Sequence, residues 1–292
     1  MELLMLRPLK DLDQYTIVAS DGDIGGVVNF LFDMDCWVVR YFVVATGRSL
    51  YGRELLISPL AICEADWECL RFFLTQTLDG IKRSPCIDPE GPISNLDERT
   101  HCHYFGHSFY RDSGRLLDQG NRTGLPASVL DEVEQDRPLL PASTTHLHSA
   151  RALQGYRVES SGGTVGNIED FIVDDESWEL RYLVVNSNQG QPEKTVIIAP
   201  AWMDNVDWRE NKVDIGISLQ SIERCPEWNR DTPIAREYEA RLFEHYERPG
   251  YWDRSERPTI APPSARPQFH SVKPAPRSRP WNLLPAERDC AE

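Results

Sequence analysis

The sequence predicts a mainly β protein: two tandem, small antiparallel β-barrels with short helical tails and a disordered, proline-rich C-terminus. Three observations carry that expectation. Sliding the 292-residue chain against itself by 141 positions aligns Leu12–Pro85 with Leu153–Pro226 without a gap, and 20 of the 74 paired positions are identical. Within each copy the apolar runs are short, rich in β-branched and aromatic residues, and separated by clusters of Gly, Asp and Pro, which is strand punctuation. The last forty residues, Asp253–Glu292, hold eight of the 21 prolines, a composition that cannot bury a core. Two copies are too few for a solenoid, so each is expected to be a small domain. A unit of this size has a marginal core, which favours packing of the two as an intrachain pseudo-dimer.

Each element follows from local chemistry. Tyr15–Ala19 reads as a strand, Ser20-Asp21-Gly22-Asp23 as a turn, and Ile24–Phe32 as the next strand. The polar turn Asp33–Cys36 leads into Trp37–Ala45, where Val39, Tyr41 and Val43 form a wholly buried face. The opposite face, with Val38, Arg40, Phe42 and Val44, is expected to be only partly buried. Glu54–Ser58 and Leu70–Thr75 give two more strands, separated by Pro59 and a turn around Asp66, and a helical turn at Gln76–Arg83 closes the unit at Pro85. Copy two repeats the series from Ser161-Gly162-Gly163-Thr164. The repeated positions include Gly22/Gly163, Gly25/Gly166, Asp33/Asp174, Trp37/Trp178, Arg40/Arg181 and Tyr41/Tyr182.

The duplication continues into the tails. Pro92-Ile93 matches Pro233-Ile234 in register, whereas His103-Tyr104 resembles His245-Tyr246 with one residue slipped. Ile234–Glu247 has helix chemistry: Thr232 as cap, Pro233 in the first turn, and Pro249-Gly250 as stop. Ile234, Tyr238 and Leu242 form a docking stripe, and Glu237 can pair with Arg241. The helix signal in the first tail is weaker. Arg111–Thr145 reads as an acidic linker with at most one short helix, near Ser128–Gln135. The expected organisation is therefore a first barrel over 1–88, aromatic tail and linker over 89–145, a second barrel over 146–228, a helical tail over 229–252 and a disordered tail over 253–292.

Charge limits the partners. With 31 basic and 46 acidic residues the net charge is −15, which argues against nucleic acid and against adhesion to anionic lipid. The last forty residues carry seven basic and five acidic side chains, so the +2 tail follows a body of −17. No apolar run approaches the ~20 residues of a membrane span, and Met1–Lys10 lacks the apolar core of a secretory signal. Seven cysteines without paired spacing suit a reducing cytoplasm, and hence a cytoplasmic protein.

Candidate sites have competing readings. Gly22-Asp23-Ile24-Gly25-Gly26 lacks the Gly-Lys-Ser/Thr ending of a phosphate loop and precedes a strand, so a hairpin turn is favoured. Asp33, Asp35, Asp174, Asp175 and Glu176 crowd two turns, but without calcium-loop spacing they read as solvated turns. Arg40 and Arg181 suit a structural ion pair or aromatic stacking. His101, Cys102, His103 and His107 form the one cluster with zinc or copper chemistry; an aromatic docking segment is the plainer reading. No nucleophile elbow, zinc-protease motif or dinucleotide fingerprint appears, so neither an enzyme nor a cofactor is expected. Cys63, Cys69, Cys86 and Cys290 make no redox pair.

Tyr15–Gly25, followed by Phe30–Asp33 and Val38–Val44, resembles the PRC-barrel domain. So does copy two, through Ser161–Gly166, Asp170–Asp174 and Trp178–Val185. That family includes the cytoplasmic part of the photosynthetic reaction-centre H subunit and the C-terminal domain of a ribosome maturation factor. The tandem arrangement is similar to bacterial double-PRC-barrel proteins. The resemblance implies interaction modules without catalytic residues: an adaptor for a protein partner, as a pseudo-dimer or homo-oligomer. The alternatives are an accessory factor peripheral to a membrane electron-transfer complex, or a metal-binding protein through His101–His107.

Overall fold

Each copy of the repeat builds a six-stranded sheet, and each sheet takes a seventh strand from the segment that precedes the other copy. The computed structural model describes residues 5–13, 15–47, 52–89, 91–107, 109, 146–187 and 194–253. The linker Arg111–Thr145, with the helix expected near Ser128–Gln135, and the tail after Asp253 lie outside the described residues.

The first sheet comprises β2 (Thr16–Ala19), β3 (Gly22–Asp33), β4 (Val38–Thr46), β5 (Glu54–Ile57), β6 (Ile62–Asp66) and β7 (Arg71–Leu74), in the order β5-β4-β3-β2-β7-β6. The second repeats it with β9 (Arg157–Ser160), β10 (Gly163–Asp174), β11 (Leu180–Ser187), β12 (Lys194–Ile198), β13 (Met203–Asp207) and β14 (Lys212–Ile215). Neither sheet is wholly antiparallel, because β2 runs parallel to β7 and β9 to β14. The cause is the short connection after β5: Ser58 and the 3-10 turn Pro59–Ala61 carry the chain round to the far edge, so the β6–β7 hairpin returns beside β2. Four residues span at most about 14 Å, so the sheet curls strongly. Its path nevertheless stays open, with no ladder joining β5 to β6 among the described residues. Strand β6 replaces part of the turn expected around Asp66. Cys63, Glu64 and Ala65 are poor strand formers, and the hairpin to β7 holds them extended.

The seventh strands are β1 (Leu6–Pro8), which pairs antiparallel with β10, and β8 (Leu147–Ser149), which pairs antiparallel with β3. Leu6 faces Asp174 and Leu147 faces Asp33, so the two exchanges obey the same 141-residue shift as the sequence. The short helices α1 (Leu9–Leu12) and α4 (Ala150–Leu153) follow directly and bury Leu9, Leu12, Ala150 and Leu153 in the common core. Helices α2 (Leu78–Lys82) and α5 (Leu219–Glu223) close the sheets, capped by the Thr77 and Ser218 hydroxyls. Helices α3 (Asn95–Tyr104) and α6 (Arg236–His245) complete the fold, and none of the described helices is long and apolar enough to cross a membrane.

The seam between the halves runs through the β3–β4 and β10–β11 turns. Val38 bridges Glu179, its own counterpart, which places the pseudo-twofold axis there. Val39 N–H donates to Trp178 O (2.8 Å) and Leu180 N–H to Trp37 O (2.7 Å). The Trp178 ring enters the first half's core, 4.9 Å from Phe42 and 6.0 Å from Phe72. Both tryptophans adopt left-handed backbone (φ 57° and 58°), a strained choice for a bulky residue. Each is held there by its own N–H, bonded to Asp33 O or Asp174 O. One apolar cluster spans both halves.

Three sequence expectations are corrected here. In β4, Phe42 and Val44 face the interior with Phe30 and Phe72, while Tyr41 and Val43 lie in a second cluster with Ile93 and Leu147; both faces are buried. A bulge explains the difference: Leu31 pairs with Tyr41 and Phe32 with Val39, leaving Arg40 as the extra residue, and Arg181 is extra in the same way in β11. Helix α6 starts at Arg236 and is preceded by Ala235, which makes no side-chain cap, so Thr232 does not cap it. Arg241 packs towards the Tyr238 ring instead of pairing with Glu237.

The repeated Gly25 and Gly166 are dictated by contact. A Cβ at either would overlap the carbonyl of Ala45 or Asn186 on the adjacent strand. Gly166→Ala should therefore cost about 2–4 kcal/mol in urea unfolding, whereas a change below 0.5 kcal/mol would contradict that packing. The shared core carries a larger prediction. Fragments 1–110 and 146–253 should each be molten alone and regain one cooperative transition when mixed; cooperative unfolding of the isolated fragments would show independent domains.

Candidate functional site

Helices α3 and α6 dock on the outer faces of β4 and β11, and their bounds differ by the same 141 residues. The tails are thus in register without the slip expected from His103-Tyr104. Tyr104, not His103, is the counterpart of His245. Tyr104 Oη donates to Gly80 O (2.7 Å), and His245 Nε2 lies 2.7 Å from Ser221 O, the equivalent carbonyl. The site needs a ring-borne donor, and either side chain supplies one.

That register exposes a pair of residues the sequence reading missed. Glu98 and Glu239 occupy one helix position and both are buried. Around Glu239, Tyr182 and Tyr251 donate to Oε1 at 2.6 and 2.9 Å, and Arg236 sits 2.9 Å from Oε2. Burial, reinforced by the carboxylate, drives the Tyr182 phenol well above its ordinary pKa and Tyr251 to about 12. Both phenols therefore act as hydrogen-bond donors. Around Glu98 the partner is instead His146, with Nε2 2.7 Å from Oε2, while Tyr41 Oη lies 3.7 Å from Cys102 Sγ. A buried carboxylate with such partners fastens the helix, and its signal was the in-register identity beyond Pro85.

The His/Cys cluster lies on and just after α3. Consecutive helical residues point about 100° apart, so His101, Cys102 and His103 leave the helix in three directions. The His101 ring is buried against Tyr41 and Phe105 with Nε2 2.9 Å from Leu56 O, and Cys102 is buried beside Tyr41. His103 is exposed, and His107 donates its backbone N–H to Cys102 O (2.8 Å). Among the described residues no three His, Cys, Asp or Glu side chains converge on a point where a metal could sit.

The other singled-out positions serve the turns. Gly22 and Gly163 sit at exposed hairpin ends backed by Leu78 and Leu219. Asp33 and Asp174 are buried rather than solvated, because β8 and β1 cover them. Asp174 Oδ1 accepts from Glu176 N–H and Ser177 N–H, and its Oδ2 meets Arg181 at 2.9 Å. Arg181 also pairs with Glu179 (2.8 Å) and lies over the Tyr251 ring, while Arg40 bonds Cys36 Sγ. Asp35 N–H bonds Asp33 Oδ1, and Asp175 pairs with Arg7 across the seam at 2.8 Å.

The halves differ in what they expose. Leu60 (49% exposed), Leu70 (37%), Leu96 (71%) and Tyr104 (43%) lie on the first half, and Trp208 (37%) and Trp252 (36%) on the second. The counterparts of the first four are Ala201, Asn211, Glu237 and His245, which are small or polar. No family model matches the chain, and no curated protein matches it significantly.

Burial holds His101 at a pKa of about 4, against 6.5 for a free histidine. The unfolded chain binds a proton there that the folded chain refuses. The stability this contributes is present above pH 6.5 and is lost as pH falls towards 4, on the order of 3 kcal/mol. Asp170 works in the opposite sense, since burial raises its pKa to about 6 and the folded chain keeps the proton. The second half has Leu242 at the His101 position, so His101→Leu isolates the first effect. Urea titrations should show the variant gaining about 3 kcal/mol on the wild type between pH 7 and pH 4. A pH-independent difference would mean that His101 is not held neutral.

Proposed function

We propose that the chain is a non-enzymatic adaptor of the PRC-barrel kind: two small barrels joined as an intrachain pseudo-dimer that present one half's surface to a protein partner in the cytoplasm. The observation that carries this reading is the exposure of Leu60, Leu70, Leu96 and Tyr104 where the second half has Ala201, Asn211, Glu237 and His245; the second half exposes Trp208 and Trp252 instead. Large exposed apolar side chains on one copy suit a partner contact. The repeated residues that carry the family resemblance also support it. Gly25, Asp33, Trp37, Arg40 and their counterparts serve the seam and the turns, which is the work of a scaffold. The six described cysteines are free thiols, as a reducing compartment favours.

The test is capture of the full chain from native lysate with three baits: wild type, Leu60→Asp/Leu70→Asp, and Ala201→Asp/Asn211→Asp. One reproducible partner should be retained by the second-half variant and reduced at least tenfold by the first-half variant. Identical recovery with all three baits, or no partner at all, would remove the adaptor reading.

A further inference from the structure

The duplication supplies a comparison within one chain. At the corner where β1 and α1 cross the outer face of β10, the second half is plugged by charge. Arg230 Nη2 sits 2.8 Å from Asp11 and 3.4 Å from the buried Asp170, and Lys10 Nζ reaches Glu169 at 3.3 Å. The buried Trp228 closes the side, its backbone N–H donating to Thr195 O of the edge strand β12 at 3.3 Å. The counterparts on the first half are Pro89 for Arg230, Ala152 for Asp11, Asn29 for Asp170, Val28 for Glu169 and Ile87 for Trp228. The plug is gone. Among the described residues, a groove of about 570 Å³ opens in its place, bordered by Val28, Leu31, Val43, Ile93 and Trp208. The Trp208 indole is held by a stacked His148 ring, with centroids 4.1 Å apart.

The polar groups at the groove are few and unequal. Asn29 is engaged: its Nδ2 donates to Ser149 Oγ (2.8 Å), and its Oδ1 accepts from Phe30 N–H (2.8 Å) and Arg151 N–H (3.2 Å). Arg151 is the counterpart of Lys10, but the acid that Lys10 holds has become Val28. Asp13 lies within electrostatic range of Arg151, yet no carboxylate among the described residues forms an ion pair with it. Glu54 stands on the groove wall and disfavours a second negative charge there.

We propose that this groove binds a small monocarboxylic acid with an apolar or aromatic body, its carboxylate meeting Arg151 as Glu169 meets Lys10 in the second half. The volume and the mixture of apolar walls with one cationic side chain at the rim match small-ligand sites, and a guanidinium is the side chain suited to bidentate capture of a carboxylate. The proposal does not depend on the adaptor reading.

Isothermal calorimetry at low salt on the full chain, with octanoate, 4-phenylbutyrate and indole-3-propionate, tests it. At least one acid should bind with a Kd of about 1 mM or tighter, as expected for a ligand of about ten heavy atoms. The neutral 4-phenyl-1-butanol should bind at least tenfold more weakly than 4-phenylbutyrate. Val28→Glu, which restores the second half's acid opposite the guanidinium, should abolish binding without lowering the thermal midpoint. Arg151→Gln, an exposed change that spares the fold, should weaken binding at least tenfold. Absence of binding by all three acids, or equal binding to wild type and Arg151→Gln, overturns the proposal.

Discussion

Leu6–Pro8 and Leu147–Ser149 each complete a sheet built by the other copy, and the remaining architecture hangs on this reciprocal addition. Three residues of ladder are worth little alone, since their backbone bonds largely replace bonds to water. Their effect lies in what they cover and where they lead. Leu6 opposite Asp174 and Leu147 opposite Asp33 bury the carboxylates that organise the two seam turns. Those turns hold Trp37 and Trp178 in a left-handed conformation, and the Trp178 ring then enters the opposite core. Arg7 over Trp67 and His148 over Trp208 repeat the crossing one layer further out. A copy separated from its partner would lose a strand, a turn clamp and a core residue together.

The same crossing explains where the copies have stayed alike. At the pseudo-twofold axis the halves meet through backbone, so Val38 and Glu179 differ in side chain while the turns that carry them are kept. Gly25/Gly166, Asp33/Asp174 and Trp37/Trp178 lie on the strands and turns that build this seam and have kept their identities. Other positions have drifted. Glu239 keeps two tyrosines and an arginine, whereas Glu98 has a histidine delivered from the segment leading into β8. The corner held shut by Arg230 in one half is open in the other.

Much of this was legible in the residue pattern, and the failures have physical causes. Strands β2 to β5 follow from β-branched and aromatic runs between turn clusters, and the gapless repeat doubles each one. Strand β6 was not legible, because Cys63, Glu64 and Ala65 have no strand preference and take their conformation from β7. The exchange could not be read from Leu6-Arg7-Pro8: the segment is short, contains a proline, and pairs with residues more than 160 positions away. Strict alternation misassigned the faces of β4 because it cannot register a one-residue bulge at Arg40. The His101–His107 cluster drew attention by composition, yet helical geometry separates its ligating atoms. Glu98 and Glu239 carried no chemical motif at all, only an identity that an assumed one-residue slip concealed.

The divergence leaves the two halves pinned differently. In the second half, the strand-and-helix strap β1–α1 is pinned by Arg230, Asp11, Lys10 and Glu169 in addition to its ladder. In the first half, the equivalent strap β8–α4 rests on its ladder, the Asn29–Ser149 hydrogen bonds and the burial of Leu147, Ala150 and Leu153. A molecule in the first-half corner would lie against that less heavily pinned strap. The strap belongs by sequence to the second copy and by hydrogen bonding to the first sheet. Stabilising it would therefore stabilise both halves at once, which couples occupancy of the corner to the rigidity of the whole body. The first half carries the exposed leucines and the open groove, whereas in the second half the same corner is closed by charge.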